Sequence, residues 1–349
     1  MPAAADDAAR APAGSVRDGP VRDRLGLAMN ASHALVAVFV LAGLVAAAVG
    51  AALQDTFYLR LATEALIFAG LALSVDILLG YTGLLSLGQA LYFGLGAYVS
   101  ALVLRETPSF WAAMGAALAA ALLTGLAGGV VANRVRGVYF ALITFGMAQI
   151  AAKVVYNTRA LGASDGLIGI PVVPIDLGFA VVRSDSPVGF FLFTLAFLVL
   201  LYALSAYVLD TPFGRLLIAL RANERRVPFL GYSIWAARLA AYVLAALVAA
   251  LCGALYPMLR GFVSPELMFF ATSGNAVITV VAGGAGTLAG ALYGSVLITL
   301  LKSVIGSWTE HHVMIVGLLF MGAVVFLPRG LLGLLRPWVE RLIARGVRP

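Results

Sequence analysis

The chain has 349 residues and a net charge of +7, with 62% hydrophobic residues and only 11% charged, whereas soluble domains carry about a quarter. Its mean hydropathy of +1.01 excludes an ordinary soluble domain and points to an all-α protein that crosses a membrane many times. The basic excess does not indicate nucleic acid, because the arginines cluster between apolar runs without an aromatic-basic motif.

In chain order, residues 1–32 mix Ala, Pro, Gly, Arg and Asp and lack the pattern of a secretory signal, so they read as a disordered cytoplasmic tail. A transmembrane domain follows over 33–335, and a basic cytoplasmic tail over 336–349. A bilayer core takes about 20 apolar residues per helix. Ten candidate stretches meet that need, some of them short or Gly-broken: 33–53, 61–79, 85–104, 109–132, 137–157, 187–209, 238–259, 267–283, 287–302 and 312–328.

The arginines orient these spans. Arg134 and Arg136, the group from Arg215 to Arg238, and the run from Arg329 to Arg348 all belong on the cytoplasmic side. Ten spans with both termini inside satisfy all three clusters. Fusing 267–302 into one helix would put the last cluster outside, so the segment is split at Gly283-Gly284-Ala285-Gly286. The loop 158–186 then lies on the periplasmic face of an inner membrane.

Within 210–238 the run TPFGRLLIALRANERRVPFLGY reads as a short amphipathic helix. Asp210 or Thr211 can cap it, Pro212 suits its first position, and Pro228 and Gly231 end it. Phe213, Leu216, Leu217 and Leu220 form one apolar stripe. Three covers are open to that stripe: lipid headgroups, the protein's own spans, or the groove of a separate cytoplasmic subunit.

That run resembles the cytoplasmic coupling loop of permease subunits from ATP-binding-cassette importers of the branched-chain amino acid family, the LivM-like branch. GYTGLLSLGQALYFGLGAY at 80–98, RGVYFALITFGMAQI at 136–150, GASDGLIGIP at 162–171, AGGAGTLAGALYG at 282–294 and FLPRGLLGL at 326–334 resemble its blocks in the same order. The resemblance covers about residues 60–335. It implies two ATP-binding subunits, a second homologous permease (LivH-like), a periplasmic substrate-binding protein and a lipid environment. It also implies a coupling role for Phe213, Gly214, Arg215, Arg221, Asn223, Glu224 and Arg225. Pro228 with Phe229 departs from the family pattern. Branched-chain amino acids are the implied cargo, with urea or a short-chain amide as the alternative.

Elsewhere the spans offer little chemistry. The glycine breaks at 80–83 and 283–286 suggest Gly83, Gly284 and Gly286 along the pathway, where freed backbone groups meet a solute; tight turns explain them equally. Ser86 and Gln89 are the polar pathway candidates in the third span, with helix–helix hydrogen bonding as the plainer reading. Ser164 and Asp165 are candidates for the periplasmic mouth. Gly286, Gly290 and Gly294, and Gly125 with Gly129, have a helix-packing spacing.

Glu64, Asp76 and Lys153 are the ionisable groups noted at membrane depth. Without a carboxylate relay, a secondary transporter or channel is the weaker reading, and without a nucleophile and base an enzyme is not expected. One cysteine, Cys252, and three histidines, His33 and the adjacent His311 and His312, which would face apart on a helix, give no ligand set, so neither metal nor cofactor is expected. No G-x-x-x-x-G-K-[ST] occurs, so ATP hydrolysis belongs to another chain.

Overall fold

A computed structural model describes residues 19–53, 56–176, 181–308, 314–315, 317–318, 321 and 330–333. Helix α1 (Gly19–Leu53) is followed by α2 (Thr56–Asp76), which passes directly into a π-helix, Ile77–Thr82. Next come α3 (Gln89–Glu106), α4 (Phe110–Ala132) and α5 (Val138–Asn157). After a loop follow α6 (Pro187–Asp210), α7 (Pro212–Asn223), α8 (Ile234–Gly253), the short α9 (Tyr256–Arg260), α10 (Phe270–Gly283) and α11 (Ala289–Trp308).

Serines start three of these helices. The hydroxyls of Ser109, Ser186 and Ser233 accept from the backbone N–H of Ala112, Gly189 and Ala236, satisfying donors that the first turns of α4, α6 and α8 leave open.

Among the described residues, seven helical segments are long and apolar enough to cross a bilayer: Ala34–Leu53, Thr56–Thr82, Phe110–Ala132, Val138–Asn157, Pro187–Asp210, Ile234–Arg260 and Ala289–Gly306. Helices α3 and α10 also stand where spans were expected, and the break at 283–286 divides α10 from α11. The expected tenth span, 312–328, and the tail 336–349 lie largely outside the described residues. Helix α1 begins at Gly19, within the segment expected to be a disordered tail. Pro20 suits a first helical turn, and no later proline interrupts the run to Leu53.

Helix α2 is the central element, buried almost continuously from Ala65 to Leu78 between α6, α8, α10 and α11. Helix α3 packs on α4 and α8. Short hydroxyls help tie helices together: Ser100 donates to the Ala254 carbonyl at 2.9 Å and Ser295 to the Ala65 carbonyl at 2.7 Å. The glycine pairs act as packing surfaces, Gly125 and Gly129 against α8 and Gly290 and Gly294 against α10. Gly286 lies in the turn before α11. Outward faces stay apolar and exposed, as at Leu41, Leu123, Ile150 and Leu200, which is the surface a bilayer covers.

Two strand pairs close one end of the bundle. β1 (Leu167–Ile168) pairs antiparallel with β4 (Phe262–Val263), joining the 158–186 loop to the turn after α9. β2 (Pro174–Asp176) pairs with β3 (Val181–Arg183). The 158–186 loop is therefore locally structured. At the other end the arginine clusters of 134–136 and 215–238 converge, since Arg136 and Arg238 both pair with Glu224.

Candidate functional site

At the arginine end, the chain leaves α6 and enters α7 through Thr211, whose ψ of 170° breaks the helix. The turn is tight. A Cβ on Gly214 would stand 1.8 Å from the Leu209 carbonyl oxygen, so only glycine fits. Leu217 and Leu220 are buried, and Phe213 and Leu216 partly so, against α6, α8 and the π-helix. Of the three covers open to the apolar stripe, the protein's own spans supply this one. Arg215, Ile218 and Arg225 remain on the exposed face.

Two predicted residues of this segment, Arg221 and Glu224, reach other elements, and a third, Asn223, caps the next turn. The Arg221 guanidinium donates through Nη1 to the Gly80 carbonyl. Glu224 accepts from Arg238 Nη2 at 2.6 Å and forms a looser 3.4 Å ion pair with Arg136 Nε, fastening α7 to α8 and to the α4–α5 turn. Asn223 accepts from the Arg225 N–H at 3.1 Å and so caps a 3₁₀-helix, Glu224–Leu230. The α-helix thus stops earlier than Pro228 alone suggests. Beyond it, Phe229 (90% exposed), Leu230 and Tyr232 form a protruding apolar tip.

Arg221 lands on the meeting point of two helix breaks. The Asp76 side chain is fully buried and both of its oxygens are used: Oδ1 accepts from the Gly286 N–H at 2.6 Å and Oδ2 from the Leu288 N–H at 2.8 Å. The backbones touch here. A Cβ on Gly80 would stand 2.5 Å from the Gly286 nitrogen, and one on Gly286 would stand 3.2 Å from Arg221 Nη1. A carboxylate without water needs such donors and a nearby cation. The π-helix leading into the junction is a geometry found often at functional positions.

Of the predicted pathway residues, Gly83 ends the π-helix with φ 72°, and Gly284 and Gly286 form the turn between α10 and α11, with φ 119° and 84°. All three belong to this junction. From Gly83 to Gly88 the backbone is irregular, and hydroxyls serve it: Leu84 N–H donates to Thr82 Oγ1, Leu87 N–H to Thr144 Oγ1 and Gly88 N–H to Ser86 Oγ. Ser86 is thereby used in its own turn. Gln89, the first residue of α3, is fully buried, and neither its Oε1 nor its Nε2 has a partner among the described residues.

Ser164 and Asp165 lie at the opposite end, exposed in a 3₁₀ turn where the serine hydroxyl donates to Oδ1 of the aspartate at 3.2 Å. They are far from the junction, tethered by the β1–β4 pairing next to them. Sequence reasoning noted Asp76 but not its partners, which lie 210 and 212 positions away. No local pattern encodes such a contact. Among the described residues no cluster of metal-binding type occurs.

A family profile described as "Branched-chain amino acid transport system / permease component" matches residues 57–327. The high-affinity branched-chain amino acid transport system permease protein LivM of Salmonella typhimurium is 29% identical over 337 residues, covering 90% of this chain and 79% of its own. LivM of Escherichia coli is 29% identical over 302 residues, covering 80% and 71%. No solved structure matches significantly.

Proposed function

The chain belongs to the family of permease components of branched-chain amino acid transport systems, and from that membership we propose that it is one permease subunit of an ATP-binding-cassette importer. It carries branched-chain amino acids inward across the inner membrane by alternating access. Two ATP-binding subunits supply the energy, a second homologous permease completes the channel, and a periplasmic binding protein delivers the cargo. The converging arginines support a cytoplasmic position for the α7 end and for both termini.

The observation that carries this reading is the seat of α7. Its outer face and apolar tip are free for a partner, while Arg221 rests on the Gly80 carbonyl beside the Asp76–Gly286 clamp. Nucleotide-driven closure of the ATPases moves α7 as a rigid body. Because Arg221 and Glu224 bind it to α2, α8 and the α10–α11 turn, that displacement passes into the bundle without any chemistry in this chain. Docking and transmission thus fall to different residues. Arg215, Arg225 and Phe229 dock; Gly214, Leu217, Arg221 and Glu224 transmit.

Affinity purification through a tag on this chain, with mass spectrometry and ATP-driven leucine uptake, tests both parts. Wild type is expected to retain ATPases and a second permease. Arg225→Glu with Phe229→Ser is expected to lose the ATPases, whereas Arg221→Gln keeps them and loses uptake. A wild-type chain that arrives alone overturns the importer reading, and ATPases retained by the double variant with normal uptake overturn the docking assignment.

A further inference from the structure

A cavity of about 380 Å³ lies between α2, α10 and α11, toward the end opposite α7. Each helix contributes one stripe at helical spacing. Glu64, Phe68 and Leu71 come from α2; Thr272, Asn275 and Thr279 from α10; Ser295, Thr299 and Lys302 from α11. Three of the hydroxyls donate to backbone carbonyls, Thr272 to Glu266, Thr279 to Asn275 and Ser295 to Ala65, so it is the ionisable groups that set the lining apart; in apolar spans such groups commonly mark a solute path. The two charges in the lining are of opposite sign, Glu64 and Lys302.

The two charged groups attract one another without forming an ion pair. Glu64 Oε2 accepts from Arg260 Nη2 at 2.5 Å, and among the described residues Lys302 forms no ion pair. A second cavity, of about 280 Å³, adjoins the first, sharing Leu61 and Glu64 and adding Arg60, Arg260 and Phe262. The Glu64–Arg260 pair stands where the two chambers meet. Arg260 directly precedes the turn that holds β4, so this partition is tied to the loop carrying Asp165.

We propose that the larger cavity is a binding site for a zwitterionic amino acid, with Glu64 receiving its ammonium group, Lys302 its carboxylate, and Phe68, Leu71 and Ile298 its apolar side chain. The volume falls in the lower part of the roughly 300–1,000 Å³ range of small-ligand pockets, which combine apolar walls with a few placed polar groups. This deepens the importer reading and rests on it. The helices that line the cavity are the three that Asp76 joins at the far end, so movement at the junction reaches the site walls directly.

Site-directed labelling of the complete importer, purified through a tag on this chain with its partner subunits and reconstituted in proteoliposomes, tests the site. Cys252 is the chain's one cysteine and is buried, so a small methanethiosulfonate reagent reads Asn275→Cys or, independently, Ser303→Cys. Leucine is expected to slow labelling at both positions. 4-Methylpentanoate, lacking the ammonium, and 3-methylbutylamine, lacking the carboxylate, protect much less. Glu64→Gln and Lys302→Met each raise the leucine concentration needed by about tenfold or more, the usual loss when one partner of a charged hydrogen-bonded pair is truncated.

Labelling that leucine leaves unchanged at both positions overturns the site, as does equal protection by the single-charge analogues. ATP-driven leucine uptake by the same particles separates the two readings. If wild type takes up leucine and both charge variants do so with unchanged half-saturation, the cavity assignment fails and the importer stands. A wild-type assembly that takes up no leucine removes the cargo and this inference together.

Discussion

Helix α2 carries two carboxylates in opposite circumstances. Asp76, at its C-terminal end, is fully buried with both oxygens occupied by backbone N–H groups of the α10–α11 turn. Glu64, nearer its N-terminal end, has 15% of its side chain exposed, gives one oxygen to Arg260 and faces a cavity. The difference teaches how to sort the few charges of a membrane helix: a carboxylate saturated by its own backbone is a fixture, and one with an unused oxygen beside open space is available to a solute.

The comparison breaks most visibly at Asp76. Asp76→Ala orphans two buried N–H groups and is expected to cost about 3 kcal/mol or more, read as a lower melting temperature and poor yield in detergent. A variant that melts with wild type would show that Asp76 is no fixture. Gly80→Ala comes next, at about 1–3 kcal/mol, because its Cβ would press on the Gly286 backbone. Suppressor substitutions should then map to the 284–288 turn.

Arg221→Gln sharpens the contrast differently. It should leave the fold and ATPase binding intact while uptake falls by roughly tenfold to thirtyfold, the range of a 1.4–2 kcal/mol loss of coupling; uptake within twofold of wild type would remove Arg221 from the transmission path. Glu64→Gln should shift stability by less than about 1 kcal/mol, since its ion pair is partly exposed, and act on transport alone. Smallest is Phe229→Ser, within about 0.5 kcal/mol in stability, with any effect confined to retention of the ATPases.

The spans were legible because long apolar runs and glycine breaks are local signals, and the split at 283–286 followed from counting arginine clusters across the membrane. The start of α7 was equally plain in TPFG, whereas Pro228 and Gly231 mark the end of the 3₁₀-helix that follows it and not its own end at Asn223. What covers the α7 stripe was not, because amphipathicity says that a face needs a cover and not which one. Nor could spacing reveal where the side chains of Arg221 and Glu224 reach, since each is fixed by a partner chosen by the tertiary fold. Lys302 went unnoticed inside an apolar run, although the recurrence of Ser295, Thr299, Lys302 and Ser303 on α11 was readable as a polar stripe.

The π-helix Ile77–Thr82 has a consequence for how this chain can change over generations. Such a segment fits one residue more than an α-helix into nearly the same rotation, so removing a single residue, such as Leu79, lets α2 continue as an ordinary α-helix with the residues on either side still facing as they do. What disappears is the widened turn that brings the Gly80 backbone to Arg221 and to the 286 turn. A one-codon deletion can therefore remove the junction while leaving the bundle standing.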